Sequence, residues 1–318
     1  MHQITILGGK GRVGSYLVPM LLESGYAVTN VSRGQTVPPG EPDCWQAVRQ
    51  VSLDRDQDGF NGQVAALGSD IVIDMICFKD DDMRQLIRAL QGKVSHYIVC
   101  GSIWMHGPST IVPCPEHLNR NPIDEYGREK NQMDLTIRQL FAANGFPGTI
   151  VHPGHIVAEG FRPVNPQGNL NLQVFRDLRE GRPLTLPNFG METLHHVHAA
   201  DVAGVMLAAL QNGSASFGQG FHAVSPAAVT LAGYAREVAR WFNREAELIF
   251  QPYDVWSQGV SGEDAAATYD HLRHSPCCSM DKARRLLGFT PRFSSYQAIR
   301  ACLDWLISHG SLIGNEVL

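Results

Sequence analysis

The sequence lacks long hydrophobic runs and lacks any block of basic residues. No apolar stretch approaches the ~20 residues that a membrane-spanning helix needs, so we expect a soluble protein without a membrane partner. Lysine and arginine together number 26, against 31 aspartate and glutamate residues, and the formal net charge is −5 at pH 7. Because binding to nucleic-acid phosphates needs a basic surface, this balance argues against nucleic acid as the main partner.

The sequence also lacks a CxxC pair, and its seven cysteines are an odd number. This pattern predicts free thiols in a reducing compartment rather than a disulfide framework. The adjacent Cys277 and Cys278 fit two ordinary thiols better than a redox pair, and the pattern assigns them no role. Met1 leads almost directly into the first strand pattern, which leaves no room for a signal peptide and predicts a cytoplasmic protein.

What the sequence does carry is a strand, a glycine turn and a helix in its first 25 residues. Gln3–Leu7 is a short β-branched run typical of a buried parallel strand, and apolar residues at helical spacing follow the turn. In such a unit the glycines allow a tight turn, the approach of a pyrophosphate, and close helix–strand packing, while the helix N-terminus holds the phosphates. The motif therefore predicts a dinucleotide site formed by Gly8, Gly9, Gly11, Arg12, Val13 and Gly14.

Strand and helix patterns alternate up to residue 152, which is typical of a doubly wound parallel sheet. The predicted strands are Gln3–Leu7, Ala27–Ser32, Ala47–Leu53, Ile71–Ile73, His96–Cys100 and Thr149–His152, with a long helix from about Asp124 to Ala143. Beyond residue 153 the elements become shorter and glycine and proline interrupt them. We therefore expect an α/β fold with a Rossmann-type domain at 1–152 and a smaller, mainly substrate-binding lobe at 153–318 that is interleaved with it.

The end of the second predicted strand bears on which dinucleotide is bound. A site that selects NAD usually carries an acid there, which binds the ribose hydroxyls, whereas arginine accommodates the 2′-phosphate of NADP. The stretch from Asn30 to Gly34 contains no acid, and Arg33 follows Ser32. A guanidinium matches a phosphate well, and the serine hydroxyl is a second donor. The sequence therefore favours NADP, with NAD and a solvent-exposed turn arginine as the alternative.

Tyr126 and Lys130 are four residues apart on the predicted long helix and so share one face. A tyrosine ionises near pH ~10, and a nearby ammonium favours the phenolate and lowers its pKa. Such a pair is suited to moving a proton on and off a carbinol oxygen during hydride transfer. Ser102 follows the fifth strand, at the carboxyl edge where open α/β sheets bind their ligands. These three residues are the candidate catalytic set.

Several segments together resemble the extended short-chain dehydrogenase/reductases, the NAD-dependent epimerase/dehydratase family. Successive family motifs are matched by the glycine turn from Gly8, Tyr97–Gly107, the segment from Glu116 to Asp134, His152-Pro153-Gly154 and Ala283–Pro291. The resemblance covers nearly the whole chain. It implies Ser102, Tyr126 and Lys130 as the catalytic set of an enzyme.

The resemblance also assigns cofactor-binding roles beyond the glycine turn. It implies that Lys130 holds the nicotinamide ribose and that Asp54 and Arg55 contact the adenine. Ile76 and Cys77 are similar to the stretch beneath the pyrophosphate and ribose. Pro153 is assigned to the cofactor on the same ground. The implied partner is a small-molecule substrate such as a sugar or sugar nucleotide, and a homodimer is compatible with the family.

Two departures and one further likeness modify this picture. His152 stands where the family has arginine, and Trp104 is bulkier than is usual beside the serine. The Gly-Gly start and the Ser32-Arg33-Gly34 turn also resemble the atypical branch that contains chloroplast stem-loop-binding proteins, whose members need not be active dehydrogenases. The leading hypothesis is an NAD(P)-dependent reductase, epimerase or dehydratase acting at a carbinol or ketone carbon. The alternative is a non-catalytic dinucleotide-sensing or RNA-associated protein.

Three histidines, His195, His196 and His198, lie close together and raise the question of a metal site. No cysteine or carboxylate stands near them at a spacing typical of metal ligands. The segment is also similar to a structural part of the same family. We therefore expect no metal ion in this protein.

Overall fold

The structure, a computed structural model, describes residues 2–34, 43–118 and 120–312. Its strands are β1 (Gln3–Leu7), β2 (Ala27–Ser32), β3 (Arg49–Ser52), β4 (Ile71–Asp74), β5 (His96–Cys100), β6 (Gly148–Pro153), β7 (His155–Val157), β8 (Leu184–Pro187), β9 (Thr193–Leu194), β10 (His196–His198), β11 (Gln219–Ala223), β12 (Val229–Thr230) and β13 (Leu248–Gln251). Seven of them form one parallel sheet in the order β11-β6-β5-β4-β1-β2-β3. The expected Rossmann-type α/β fold is confirmed.

Helices cover both faces of this sheet. They are α1 (Gly14–Glu23), α2 (Phe60–Ala66), α3 (Asp80–Leu90), α4 (Glu125–Asn144), α5 (Gln173–Glu180), α6 (Ala199–Gln211), α7 (Gly213–Ser216), α8 (Leu231–Trp241), α9 (Tyr253–Trp256), α10 (Gly262–His274), α11 (Asp281–Leu287) and α12 (Ser295–Ser308). One apolar layer packs α1 and α6 against the sheet, and the opposite layer packs α2, α3 and α4. None of the helices in the described part of the chain is long and apolar enough to cross a membrane.

The second half of the chain contributes to the first sheet as well as forming its own core. Strand β11 pairs with β6 and completes the sheet, while α6 packs on α1. A separate apolar cluster is formed by α5, α8, α12 and strand β8. Residues after 153 therefore both extend the parallel sheet and build a lobe beside its carboxyl edge.

The strongly patterned elements lie where the sequence predicts them, and the weakly patterned ones were missed. Strands β1, β2 and β5 have the predicted bounds, and α4 begins after Asp124, whose carboxylate accepts a hydrogen bond from the Gly127 N–H at 2.6 Å. The third strand begins at Arg49 rather than Ala47, because a 3₁₀ helix, Asp43–Ala47, occupies the start of the predicted run. Helices α2 and α10 and strand β13 were not predicted.

The glycine turn shows why its last glycine cannot carry a side chain. A Cβ built on Gly14 would lie 2.1 Å from the backbone oxygen of Gly9, and no backbone atom there can rotate away. The same test on Gly62, on the exposed side of α2, finds nothing within 4 Å. Close packing between α1 and the β1 turn therefore depends on the absence of a single methyl group.

We predict that Gly14→Ala lowers the free energy of unfolding by about 1–3 kcal/mol, since α1 must shift off the sheet to make room. Gly62→Ala, the matched control, should leave stability unchanged or raise it by up to ~1 kcal/mol, because alanine favours the helix. Urea unfolding of both variants measures this. Equal stability of Gly14→Ala and the wild type would contradict the packing described.

Candidate active site

A cavity of about 440 Å³ opens at the carboxyl edge of β1, β2 and β4. This cofactor cavity, as we call it, is lined by Gly8, Lys10, Gly11, Ser32, Arg33, Leu53, Asp54, Arg55, Asp56, Ile76, Phe78, Lys79 and Asp82. Open α/β sheets bind ligands at this edge, where loops from neighbouring strands diverge. The cavity brings together seven of the residues that the sequence assigns to a cofactor: Gly8, Gly11, Ser32, Arg33, Asp54, Arg55 and Ile76.

The glycine turn is held by a residue that the sequence reasoning did not single out. The side-chain oxygen of Asn30, fully buried in β2, accepts a hydrogen bond from the Gly9 N–H at 2.9 Å. Its amide nitrogen donates to Gln50 on β3 at 2.8 Å. A buried amide between apolar strand positions was the available signal, because such a group must find partners.

Four predicted residues of the turn do not line the cavity, and Gly9 is one of them. Val13 is buried in the apolar core. Gly14 packs against Gly9, as described above. The Arg12 guanidinium turns towards the second half of the chain, where it lies 4.8 Å from the Phe161 ring and donates to the Ile156 carbonyl at 3.5 Å.

Arg33 and Ser32 lie together at the cavity wall next to the end of β2. The Arg33 side chain is exposed, and the Ser32 hydroxyl oxygen accepts from the Gly34 N–H at 3.3 Å. The residues after Gly34 up to position 42 are outside the described part of the chain. The position of Arg33 is compatible with contact to a phosphate in the cavity.

Arg55 is anchored in the protein by an ion pair beneath the cavity. Its guanidinium pairs with Asp74 at the end of β4, a carboxylate that is fully buried. Asp74 also accepts from the Tyr97 hydroxyl at 3.2 Å and from the Ile76 N–H at 3.1 Å. The part of Arg55 that reaches the cavity is therefore held in place by this ion pair. Asp54 accepts from the Asp56 N–H at 3.2 Å and forms no ion pair within the described part of the chain.

Lys130 lies between the cofactor cavity and the candidate catalytic residues Ser102 and Tyr126. Its side chain is buried, and its ammonium donates to the Cys77 carbonyl at 2.6 Å and to the Cys100 carbonyl at 2.8 Å. It lies 5.0 Å from the Phe78 ring and 5.6 Å from the Tyr126 ring. Burial lowers the pKa of Lys130. Cys77 contributes this carbonyl, while its thiol is buried and donates to the Lys79 carbonyl.

Ser102 and Tyr126 meet in a second, smaller pocket of about 180 Å³. This catalytic pocket, as we call it, is lined by Ser102, Ile103, Trp104, Tyr126, Pro153, Gly154 and His155. The Ser102 hydroxyl accepts from the Trp104 N–H at 3.2 Å. Pro153, assigned to the cofactor from the sequence, lies in this pocket rather than in the cofactor cavity.

The expectation for the ionisation of Tyr126 was wrong. Desolvation raises the pKa of Tyr126 to about 12, and the nearby Ser102 hydroxyl lowers the pKa only in part. The Lys130 ammonium does not offset this, because it is turned to two backbone carbonyls. In the free protein at neutral pH, Tyr126 is therefore a protonated phenol rather than a phenolate.

Helix α10, absent from the sequence prediction, brings two histidines to this pocket. The indole of Trp104 stacks on His274, with ring centroids 4.1 Å apart and planes at 12°, and meets His271 edge-on at 5.4 Å. Its other neighbour is Tyr126, 6.0 Å away. The available signal was Ser261, whose hydroxyl caps the helix by accepting from the Asp264 N–H at 3.0 Å.

His155 presents a ring nitrogen without a partner at the catalytic pocket. Its Nδ1 accepts from the His195 N–H at 3.2 Å, so the ring proton resides on Nε2. That nitrogen is buried and has no hydrogen-bond partner within the described residues. Burial holds the pKa of His155 well below its usual value, so the ring is neutral. A buried donor that lines a pocket is suited to bind a ligand oxygen.

The other three histidines of this region point to separate backbone partners. The Nε2 atoms of His195 and His196 lie 2.9 Å from the Ser225 carbonyl and 3.0 Å from the Val164 carbonyl, and His198 caps α6 by accepting from the Ala200 N–H. Within residues 2–34, 43–118 and 120–312, no group of three or more histidine, cysteine, aspartate or glutamate side chains is placed to hold a metal ion.

Comparison with known proteins agrees with this architecture. Residues 80–220 match the model of the NAD dependent epimerase/dehydratase family. The chain is 26% identical over 308 residues to the chloroplast stem-loop binding protein of 41 kDa b of Arabidopsis thaliana, covering 93% of this chain and 77% of that protein. It is 30% identical over 215 residues to the 2′-dehydrokanamycin reductase of Streptomyces kanamyceticus, covering 65% of this chain and 57% of that protein.

Among solved structures, the chain superposes on dTDP-glucose 4,6-dehydratase of Bacillus anthracis, solved in complex with NAD, with a TM-score of 0.75. The two are 13% identical, and 98% of each chain is covered. The fold and the two adjoining pockets thus define a Rossmann-type α/β protein. Within that class, the segment 80–220 is similar to the NAD-dependent epimerase/dehydratase family, the family that the motifs resemble.

The contacts of Arg55 lead to a stability prediction. Arg55→Met should lower the free energy of unfolding by about 3–5 kcal/mol, because it leaves the buried Asp74 carboxylate without its charged partner. Asp54→Asn, on the neighbouring cavity residue, should change it by less than ~0.5 kcal/mol. Urea unfolding distinguishes the two. A small effect of Arg55→Met would mean that Arg55 is a free ligand-binding side chain.

Proposed function

We propose that the chain binds a nicotinamide dinucleotide in the cofactor cavity and catalyses hydride transfer at a carbinol or ketone carbon in the catalytic pocket. The observation that carries this proposal is the position of Lys130. Its ammonium is bonded to the carbonyl of Cys77, next to Phe78 of the cofactor cavity, and to the carbonyl of Cys100, two residues before Ser102. Cofactor and substrate would therefore meet at the carboxyl edge of β4 and β5.

The cofactor cavity offers partners for the pyrophosphate and the adenine ribose of a dinucleotide. Gly8 and Gly11 offer backbone without side chains at the start of α1, where a pyrophosphate is favoured. Ser32 and Arg33 lie where a 2′-phosphate on the adenine ribose would be held, and Asp54 lines the same wall. NADP is therefore the cofactor that we propose, with NAD as the alternative if Arg33 makes no phosphate contact.

The catalytic roles follow from the protonation states. A bound nicotinamide supplies or accepts the hydride. Tyr126, protonated at neutral pH, is ready to donate a proton to a ketone oxygen, as reduction requires. The Ser102 hydroxyl, which shares the catalytic pocket with Tyr126, orients that oxygen, and the His155 Nε2–H is a further donor to the substrate. Lys130 holds the carbonyls that separate the two sites and, by the family resemblance, the nicotinamide ribose.

The proposed substrate is a sugar or a sugar-like alcohol or ketone. One relative is named a 2′-dehydrokanamycin reductase, and the structural neighbour is named a dTDP-glucose 4,6-dehydratase. Among the described residues, no lysine or arginine lines the catalytic pocket, and Arg273 nearby is paired with Asp124 and Asp270. The pocket thus favours an uncharged ring at the reacting carbon. Arg33, which favours NADP(H) as the cofactor, in turn favours a reductase over an epimerase that retains NAD.

The second candidate is dinucleotide binding without turnover, in an RNA-associated protein. The observation in its favour is the similarity over 308 residues to a chloroplast stem-loop binding protein. The formal net charge of −5 and the presence of Ser102 and Tyr126 in one pocket oppose it. Under this candidate, loss of the Tyr126 hydroxyl would be without consequence.

The cofactor preference depends on Arg33. The wild type should bind NADPH more tightly than NADH, and Arg33→Asp should reverse that order, because a carboxylate repels the 2′-phosphate and accepts from ribose hydroxyls. Loss of a charge-assisted hydrogen bond, about 1.5–3 kcal/mol, corresponds to a ten- to hundredfold loss of NADPH affinity. Calorimetric titration of both cofactors measures this. Equal NADH and NADPH affinity in the wild type would exclude the phosphate role and shift the proposal to retained NAD.

Tyr126→Phe should keep NADPH affinity and lower turnover by ~10²–10⁴-fold, the usual contribution of a general acid. Two probes are suited to the assay: 2′-dehydrokanamycin with NADPH, and dTDP-glucose with NAD. Tyr269→Phe, which removes the same hydroxyl from an exposed residue outside both pockets, is the matched control. Full activity of Tyr126→Phe on a probe that the wild type converts would contradict the proton-transfer role.

A further inference from the structure

His152, at the carboxyl end of β6, is fully buried and contacts the loop that carries Ser102. Its Nδ1 accepts from the Ser102 backbone N–H at 3.2 Å, and its Nε2 lies 3.0 Å from Oδ1 of Asp134. Because Nδ1 accepts, the ring proton resides on Nε2 and is donated to Asp134. Burial lowers the pKa of His152 to about 4, which keeps this tautomer neutral.

Asp134 is itself held rigidly by two arginines. Its carboxylate is fully buried, and Oδ2 pairs with Arg120 at 2.7 Å and with Arg138 at 2.6 Å. Arg120 also donates to the Glu116 carbonyl at 3.1 Å. The Asp134 carboxylate therefore has little freedom to move. Because the His152 ring is bonded at both nitrogens, its orientation is restricted as well.

Two glycines make room for this histidine and its carboxylate. A Cβ on Gly101 would lie 2.2 Å from His152 Nδ1, and a Cβ on Gly220 would lie 2.1 Å from Asp134 Oδ1. The neighbouring strands therefore approach the two side chains more closely than any other residue would permit. The Ser102 loop and β11 are shaped around the imidazole and its partner.

The Ser102 backbone connects His152 to the catalytic pocket. Ser102 is extended, with φ −164° and ψ 146°, and the 3₁₀ helix Ile103–His106 begins directly after it. Its N–H is bound by His152, and its hydroxyl accepts from the Trp104 N–H. The first bond holds the backbone from which the side chain extends, and the second restricts the direction of the hydroxyl.

We propose that His152 is a positioning residue that fixes the Ser102 backbone and so aims the Ser102 hydroxyl at Tyr126 and the substrate oxygen. His152 does not line the catalytic pocket, so it acts through Ser102. An arginine, which the family has at this position, could pair with Asp134 but has no acceptor for the Ser102 N–H. The consequence for catalysis rests on the proposed function, whereas the contact does not.

Two variants of the same size class separate the two bonds of the imidazole. In His152→Asn the amide oxygen replaces Nδ1 as the acceptor for Ser102 and the bond to Asp134 is lost. In His152→Gln the amide nitrogen replaces Nε2 as the donor to Asp134 and the bond to Ser102 is lost. Each variant loses one hydrogen bond, so a merely structural role would affect both alike.

The first readout is hydrogen exchange at the Ser102 amide, resolved by mass spectrometry with electron-transfer fragmentation. Exchange should be about tenfold faster in His152→Gln than in His152→Asn, as expected for one hydrogen bond. Equal exchange rates in the two variants would overturn the proposal. If either variant does not fold, ¹⁵N-histidine NMR of the wild type decides. A neutral ring protonated at Nε2 supports the contact, and a proton at Nδ1 overturns it.

The second readout is turnover of 2′-dehydrokanamycin with NADPH. His152→Gln should lower kcat about tenfold relative to His152→Asn, with similar NADPH affinity in both. Similar kcat in both, on a probe that the wild type converts, would overturn the positioning role. Faster Ser102 exchange in His152→Gln, with no turnover of any probe by the wild type, would support the contact and contradict the proposed function.

Discussion

The rest of the site depends on one buried ammonium, that of Lys130. A charge removed from water is stable only if its hydrogen bonds are replaced, and here the carbonyls of Cys77 and Cys100 replace two of them. One carbonyl follows β4 and the other ends β5, so a single side chain of α4 fixes two strand ends relative to each other. The hydrogen bonds that the Lys130 ammonium requires therefore fix the backbone between the cofactor cavity and the catalytic pocket.

The same helix extends this arrangement along its length. Tyr126, Lys130, Asp134 and Arg138 are spaced four residues apart on α4 and so form one ridge that winds slowly around the helix. Tyr126 lines the catalytic pocket, Lys130 is bonded to the strand ends, and Asp134 is bonded to His152 and paired with Arg138. Lys130 and Asp134, which are buried, both have hydrogen-bond partners, as buried charged groups require.

Much of the fold and part of the site could be predicted, because both rest on local patterns. Residues close together in the sequence identify the glycine turn, the buried strands and the i, i+4 pair of Tyr126 and Lys130. The structure places Ser102, Tyr126 and Lys130 near one another. What could not be predicted depends on contacts distant in sequence. The wrong pKa expectation for Tyr126 arose because the spacing to Lys130 says nothing of the Cys77 and Cys100 carbonyls.

Helix α10 illustrates the second reason. Its residues show no strong apolar periodicity, since its buried positions are Thr268, Leu272 and His274, and of these Leu272 alone is aliphatic. Asn30 was likewise invisible as a site residue, because an amide in a strand gains meaning only when the Gly9 N–H lies 2.9 Å away. Local sequence patterns identify helices and strands, whereas contacts between residues distant in sequence identify the site.

The two pockets draw on different parts of the chain, and this has a functional consequence. Every residue lining the cofactor cavity lies between Gly8 and Asp82, on the first strands and the turns that follow them. The catalytic pocket draws on loops after β5 and β6, and α10 from the C-terminal half stacks on it through His274 and Trp104. Changes in α10 can therefore alter what the pocket accepts without disturbing the glycine turn. The bonds of Lys130 and His152 meanwhile connect α4 with the chain after β4, and the Ser102 backbone with β6.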